Sequence, residues 1–311
     1  MKLIKKILLG ALIVCVVFLG YSYLRFDHDL SEEINALSSN SELQSTYLGD
    51  IEYILKGDTG PIVLFLHGMP GGYDQAPDPW PGYRLLAPSR PGYLRTSIEV
   101  GDSPERQAIS YLALLDSLEI ENVIVFGVSG GGPSAIEFAE KFPERTDALI
   151  LMEAISQRFP NNGEMSSLMT SDFLYWSMFN ALLSIQGLEG VAAMQIEDPS
   201  QRLEILNDPG KSQKFERILW SVWPGSLREE GWKNDMLQVD RLSEPPEISV
   251  PTLIIHGAKD ATVPVDHSRK LAAQVSNSEL HVFEDATHLM PLTHEVQVRD
   301  LALDFLSKYS L

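Results

Sequence analysis

Ser129 is a candidate nucleophile. It lies in GVSGG at residues 127–131, which matches the pattern G-x-S-x-G. The apolar run NVIVF at 122–126 precedes the motif and a helical pattern follows it, and in this context a serine hydroxyl is exposed on a sharp strand-to-helix turn. The amide of Gly130, at the start of that helix, can stabilise an oxyanion. The bare pattern also occurs in structural turns, but its position between strand and helix predicts a nucleophilic role.

A serine hydroxyl is a weak nucleophile that needs a base, and the base needs a carboxylate to hold its tautomer. Asp260 follows the apolar run TLIIH, and His288 lies in the loop after the next strand. Both are expected at the carboxyl edge of the sheet, where Ser129 emerges. Of the seven histidines, only His288 occupies a loop suited to reach Ser129. Glu153 is the competing acid, and we favour Asp260.

A second oxyanion donor is expected from a loop after an earlier strand. FLHGMPGG at 65–72 follows the apolar run PIVLFL, and its glycines allow backbone N–H groups to turn inward. The amide of Met69 is the natural donor, with His67 as a residue that orients the loop. Together with Gly130, Met69 forms the predicted oxyanion hole. This chemistry needs no cofactor and no metal ion.

Short apolar runs alternate with helical patterns from about residue 45. Continuous apolar runs of this kind are typical of strands buried on both faces of a parallel sheet. Helical spacing of apolar residues covers Pro104–Leu118 and Ser134–Phe142. Strand and helix in alternation predict an α/β fold with a doubly wound, mostly parallel sheet. The predicted strands are at 61–66, 122–126, 148–152 and 252–256.

Residues 156–245 interrupt this alternation. The segment contains four of the five tryptophans in stretches that look helical. We interpret it as an inserted helical cap on a core formed by residues 45–155 and 246–311. For any single aromatic residue, packing of the cap on the sheet is favoured over substrate contact. As a group the aromatics indicate an apolar cleft beneath the cap.

The motifs together resemble the α/β-hydrolase superfamily over roughly residues 45–311. The similarity is carried by HGMPGG, SRPGYLRTS, GVSGGG, GAKDATVP and ATHLMP, which occur in the family's order and spacing. The resemblance implies the α/β-hydrolase fold, the triad of Ser129, Asp260 and His288, and the Met69/Gly130 oxyanion hole. Haloalkane dehalogenases and epoxide hydrolases share the plan but carry aspartate at the elbow, so Ser129 disfavours both.

Some positions depart from the family pattern. Leu94 and Thr287 stand where glycine is usual, and neither touches the chemistry directly. HGMPGG is similar to the loop of proline iminopeptidases, whose elbow normally carries tryptophan after the serine. Gly130 occupies that position here, which disfavours a peptidase.

The N-terminal residues 1–25 carry three lysines before a run without charge, Ile7–Leu24. As a helix this run would extend about 27 Å, close to the hydrocarbon thickness of a bilayer. We expect an uncleaved transmembrane anchor, with a cleaved signal peptide as the alternative. The flanking lysines favour a cytoplasmic N-terminus and an extracytoplasmic catalytic domain.

Composition limits the partners. The formal net charge of −19 disfavours nucleic acid, whose phosphates attract clustered Lys and Arg. Cys15 is the only cysteine, which excludes a disulfide framework within the chain and a cysteine-based metal or redox site. The oligomeric state is left open by the sequence.

These observations predict a serine hydrolase that acts on a small ester-type substrate with an apolar group through an acyl-enzyme on Ser129. A proline iminopeptidase-like aminopeptidase, an amidase and an acyltransferase are alternatives, because other nucleophiles and leaving groups can use the same acyl-enzyme. A non-catalytic binding or sensing protein that retains the fold is a rival of another class. An intact triad counts against it, because a binding module has no chemical need for one.

Overall fold

The computed structural model describes residues 2–159, 170–245 and 247–309. Its strands are β1 (Glu42–Thr46), β2 (Gly49–Lys56), β3 (Ile62–Leu66), β4 (Arg84–Pro88), β5 (Val123–Val128), β6 (Thr146–Met152), β7 (Thr252–Gly257) and β8 (Ser278–Phe283). Its helices are α1 (Lys2–Ser39), α2 (Pro104–Ser117), α3 (Gly132–Lys141), α4 (Asp172–Gln195), α5 (Pro199–Asn207), α6 (Pro209–Trp220), α7 (Glu229–Val239), α8 (Asp266–Gln274), α9 (Met290–Thr293) and α10 (Glu295–Ser307).

The eight strands form one sheet in the order β1-β2-β4-β3-β5-β6-β7-β8. β1, β2 and β4 pair antiparallel, and every pair from β4 to β8 is parallel. Side chains of α2, α3 and α8 pack on one face, and those of α10 pack on the other. Central strands covered on both faces are largely apolar, as β3 is throughout and β7 is at Leu253, Ile254 and Ile255. The predicted doubly wound, mostly parallel sheet is confirmed.

The parallel strands and the two helices predicted from the sequence are present, with ends within two residues of the expected ones. Ser103 caps α2, where its hydroxyl accepts a hydrogen bond from the N–H of Arg106, and Pro104 follows at the first helical position. Strong periodic signals thus place these elements correctly.

Helices α4 to α7 lie between β6 and β7, inside the segment predicted as a cap, and we call these four helices and the turns between them the cap. Part of that segment, 160–169, lies outside the described residues. Aromatic side chains of α4 and the α6 region pack on one another, with stacked rings of Tyr175 and Phe179 and an edge contact between Phe179 and Trp220. These rings therefore form a small apolar core of their own.

Helix α1 continues well past the apolar run, to Ser39. Its C-terminal half docks on the rest of the chain: Phe26 packs in the cap's aromatic cluster and Leu37 in the core. Among the described residues, no helix is both long and apolar enough to cross a membrane. The expected transmembrane anchor at residues 1–25 is therefore not supported.

Candidate active site

Ser129 follows β5 at the sharp turn into α3. Its φ of +50° lies in the left-handed region, which is uncommon for a residue other than glycine. A Cβ on Gly127 would come within 2.6 Å of Ala135, and one on Gly131 within 2.2 Å of the Leu66 carbonyl oxygen. Both positions therefore require glycine, which explains the two glycines of the motif.

The structure brings Ser129, His288 and Asp260 together from three loops. His288 Nε2 lies 3.1 Å from Ser129 Oγ, and His288 Nδ1 lies 2.7 Å from Asp260 Oδ2. Each loop follows the carboxyl end of a parallel strand, β5, β7 or β8. With Asp260 accepting from Nδ1–H, Nε2 is free to accept the serine proton.

Asp260 is held ionised by its surroundings. Burial alone would raise the pKa of this carboxyl, but hydrogen bonds from His256 and His288 and the amide of Val263 outweigh burial and hold its pKa well below the usual range. Oδ1 accepts the N–H groups of Thr262 and Val263 at 2.8 and 2.9 Å. The carboxylate therefore has a fixed orientation as well as a stable charge.

His67 orients the predicted oxyanion donor. Its pKa lies well below the ordinary value, because of burial and the nearby Arg90, so the ring is neutral. Nε2 accepts the N–H of Arg90 at 2.9 Å, so the proton is on Nδ1, which donates to the Gly68 carbonyl at 2.7 Å. A trans peptide points its C=O and N–H in opposite directions, so the amide of Met69 faces away from His67.

The loop with Gly68 and Met69 also runs directly against the elbow. A Cβ on Gly68 would lie 3.3 Å from the Cβ of Ser129, and a Cβ on Gly130 would lie 2.6 Å from the Met69 side chain. The Met69 side chain thus fills the space that a larger residue at 130 would need. Gly130 is the second residue of the turn Ser129–Gly131, and the first N–H groups of such a turn have no partner within it.

Apolar side chains flank the nucleophile. Ile155 donates its backbone N–H to the Ser129 carbonyl at 3.0 Å, and Val263 lies three residues after Asp260. Both belong to one buried apolar cluster, which Met69 and Phe159 border. Residues next to Ser129 and Asp260 in the loops therefore contribute to an apolar cluster that also includes Val239 of α7.

Glu153 lies at the end of β6 beside the triad. Its Oε2 is 3.8 Å from His288 Nδ1, farther than Asp260, and the residue is 1% exposed. Burial and the charge of Asp260 raise its pKa well above the ordinary value. The geometry therefore makes Asp260 the hydrogen-bonded partner of His288 and leaves Glu153 as a near neighbour.

Glu153, Asp260 and His288 each offer a possible metal-ligand atom, and these atoms lie within 4.8 Å of one another. The 2.7 Å separation of His288 Nδ1 and Asp260 Oδ2 is that of a direct hydrogen bond. An ion between these two atoms would have to break that bond, so the arrangement suits acid–base chemistry better than metal binding.

All five predicted site residues lie at this edge of the sheet. One supporting residue was missed: His256, interpreted only as the end of a strand, places Nε2 3.3 Å from Asp260 Oδ2 and 2.9 Å from the Val263 carbonyl oxygen. The available signal was its spacing, four residues before Asp260 at a strand end. That spacing alone does not specify the turn that folds the loop back.

Comparison with known proteins identifies relatives that are hydrolases. A family model for the alpha/beta hydrolase fold matches residues 61–295. The chain is 28% identical over 278 residues to the uncharacterized hydrolase YcgS of Bacillus subtilis, a match that covers 83% of this chain and 95% of the relative. It is 29% identical over 274 residues to 2-hydroxy-6-oxo-6-phenylhexa-2,4-dienoate hydrolase of Burkholderia cepacia, covering 80% and 88%.

Among solved structures, an alpha/beta hydrolase fold protein from Nakamurella multipartita superposes with a TM-score of 0.76 at 30% identity. The match covers 86% of this chain and 98% of that protein. The part of the chain left outside this match is therefore small.

Proposed function

The chain belongs to the α/β-hydrolase fold family and is a hydrolase, and on this premise we propose that it cleaves carboxylic esters with an apolar group through an acyl-enzyme on Ser129. The observation that supports this proposal most is the pair of hydrogen bonds that link Ser129 Oγ to His288 and His288 to Asp260. A base oriented in this way by a carboxylate converts a weak serine hydroxyl into a nucleophile.

In the first half of the proposed reaction, Ser129 Oγ bonds to the ester carbonyl carbon while its proton passes to His288 Nε2. The amides of Met69 and Gly130 stabilise the resulting oxyanion. The alkoxide then leaves as its bond to the carbonyl carbon breaks, and it takes the proton from His288. The products of this half are an alcohol and an acyl-enzyme.

In the second half, water attacks the acyl carbon and gives a proton to His288. Collapse of the tetrahedral intermediate breaks the bond to Ser129 Oγ, which recovers the proton, and the carboxylic acid leaves. Asp260 remains ionised throughout and stabilises the imidazolium. The balance is one ester and one water converted to one acid and one alcohol.

The apolar substrate group is supported by the cluster beside Ser129, to which Ile155 and Val263 belong and which Met69 borders. The cap aromatics support it less directly, because the described ones pack on each other. A panel of p-nitrophenyl esters of increasing acyl length tests this part. Equal kcat/KM for acetate and longer acyl chains would remove the apolar preference.

The mechanism is tested by labelling the purified chain with a fluorophosphonate and reading intact mass. One adduct is expected on the wild type and none on Ser129→Ala. Circular dichroism of both proteins shows that the comparison is made on folded chains. An adduct that persists in Ser129→Ala, or a folded wild type that forms none, would contradict the proposal.

A second candidate substrate class comes from the relative in Burkholderia cepacia, whose name describes hydrolysis of a 2-hydroxy-6-oxo dienoate. Such a compound offers a ketone carbonyl instead of an ester carbonyl. Turnover of 2-hydroxy-6-oxo-6-phenylhexa-2,4-dienoate, with no turnover of any ester in the panel, would favour this class.

A further inference from the structure

Glu153 is a buried acid that the proposed reaction does not use. Neither of its carboxyl oxygens has a hydrogen-bond partner among the described residues. Its backbone φ is +51°, in the region that residues other than glycine rarely adopt. A polar side chain kept without partners on strained backbone is costly, so stability alone does not account for it.

The position of Glu153 is defined by its two neighbours. Its backbone N–H donates to the Ile255 carbonyl of β7 at 2.9 Å, which fixes the residue against the strand that leads to Asp260. Oε2 lies 3.8 Å from His288 Nδ1, the atom that donates to Asp260. A shift of about 1 Å would bring Oε2 within hydrogen-bond distance of the same N–H.

Two titratable groups lie close to Glu153 in the described part of the chain. They are Asp260, after β7, and His288, after β8, with His256 on β7 behind Asp260. Ligating atoms of Glu153 and Asp260 lie within 4.8 Å of each other in a buried place. Two carboxyl groups so close resist double ionisation, and Asp260 has the hydrogen bonds that stabilise a charge.

We propose that Glu153 is a positioning residue of the triad, a second carboxyl group that is neutral in the resting enzyme and offers His288 Nδ1 another acceptor when it ionises. This inference rests on the proposed function. Glu153 acts through His288 and has no contact with the reacting carbonyl in the proposed reaction.

Removal of the Asp260 charge reveals this role. Burial and, after it, the charge of Asp260 both raise the pKa of Glu153. In Asp260→Asn the second cause is gone while burial remains, so Glu153 ionises more readily than in the wild type and becomes the remaining carboxylate beside Nδ1. The residual reactivity of Asp260→Asn should then depend on Glu153 above the pH at which it ionises. Below that pH, Glu153 is neutral and its replacement by glutamine changes little.

The experiment measures the rate of fluorophosphonate adduct formation at Ser129 between pH 5 and 9, which requires no knowledge of the substrate. The proteins are the wild type, Glu153→Gln, Asp260→Asn and the Asp260→Asn/Glu153→Gln double variant. The rate ratio of Asp260→Asn to the double variant should be near 1 at pH 5 and about 10 or more at pH 9. Glu153→Gln alone should lose only several-fold, at the alkaline end.

Two further variants keep the test decisive. Glu144→Gln, at the opposite end of β6 and exposed, is the matched control and should leave the ratio at 1 in the Asp260→Asn background. Asp260→Asn/Glu153→Met removes the unpartnered carboxyl without burying another polar group. If the glutamine double variant folds poorly, the methionine double variant takes its place, and the same rate ratios are expected.

The outcomes separate the two proposals. A wild type that reacts, with a ratio independent of pH, overturns the role of Glu153 and leaves the proposed function intact. A Glu153→Gln loss as large as that of Asp260→Asn also overturns it, because Glu153 would then be the main acid. A folded wild type that forms no adduct overturns the proposed function and this inference together.

Discussion

The sheet core, which carries the predicted triad, and the cap are held in place by different kinds of contact. In the core, Ser129, Asp260 and His288 each follow a parallel strand, and the strand order alone brings them to one edge. The cap helix α7 is joined to the core by buried charges: Asp235 binds Arg90 after β4, where Tyr93 also donates to it at 2.6 Å. These contacts join residues more than 140 positions apart.

A second ion pair, with Arg228 buried and Asp74 partly buried, also joins the cap to the core. Arg228, which precedes α7, pairs with Asp74 in the segment after the HGMPGG loop at 2.9 Å. Arg90 also reaches the Gly68 carbonyl at 3.4 Å, so the cap anchor touches the loop of the oxyanion donor. From this comparison we expect changes at the predicted triad to affect chemistry with little effect on folding, and changes at the cap anchors to do the reverse.

The largest effect is expected for Ser129→Ala, a change in the core. Turnover of a p-nitrophenyl ester should fall by about 10⁴-fold or more, because the nucleophile is lost, with thermal stability nearly unchanged. Ser134→Ala is the matched control: this buried serine lies one turn into α3 and bonds Tyr111 at 3.2 Å. It should lose about 1 kcal/mol of stability and keep its turnover. Similar turnover in the two variants would show that Ser129 is not the nucleophile.

Asp235→Asn breaks the cap anchor. Arg90 is 1% exposed and would keep a buried charge without its counter-ion, so the free energy of unfolding should fall by about 3–5 kcal/mol. Urea unfolding followed by tryptophan fluorescence measures the loss. Asp240→Asn, which removes an exposed pair with Arg158, should cost less than about 1 kcal/mol. Equal costs would show that the buried pair does not anchor the cap.

Acid should weaken the contact between α8 and the loop after β6. Burial, followed by the charges of His256 and Lys270, lowers the pKa of His267 to about 4 from about 6.5. Between these values the unfolded chain binds a proton that the folded chain does not, so the stability present above pH 6.5 is lost as pH falls towards 4. Urea unfolding at several pH values measures this slope.

His267→Asn is the comparison for that slope. Asparagine keeps an acceptor for the Ser156 N–H, which His267 Nδ1 now accepts at 3.2 Å, and does not titrate. The slope between pH 6.5 and 4 should become shallower by less than about 1.4 kcal/mol per pH unit. An unchanged slope would exclude His267 as a source of the acid sensitivity.

The smallest effect concerns the contact of the cap with α1. Trp176 donates its indole N–H to Asp29 at 3.0 Å, so Trp176→Phe should cost about 0.5–1.5 kcal/mol for the lost hydrogen bond, besides the small loss of ring area. The indole N–H of Trp232 is buried without a hydrogen-bond partner in the described structure, so Trp232→Phe is the control without that loss. Equal changes in unfolding midpoint for the two variants would show that the hydrogen bond from Trp176 to Asp29 does not stabilise the fold.

Some features of this protein were determined by the sequence alone. The apolar runs of β3, β5, β6 and β7 predict buried parallel strands, because only a strand covered on both faces is apolar throughout. Residues that follow such strands meet at one edge. Local spacing therefore placed Ser129 at an elbow and brought Asp260 and His288 into its neighbourhood.

Tertiary structure decided the remainder. The choice between Asp260 and Glu153 depends on distances of 2.7 and 3.8 Å to one nitrogen, which neither motif encodes. The extension of α1 to Ser39 and its docking on the cap through Phe26 were not predicted either, because these residues lie beyond the apolar run and their packing depends on distant partners. The cap anchors Arg90–Asp235 and Arg228–Asp74 join distant segments, and such pairings arise only when the folded chain brings the charges together.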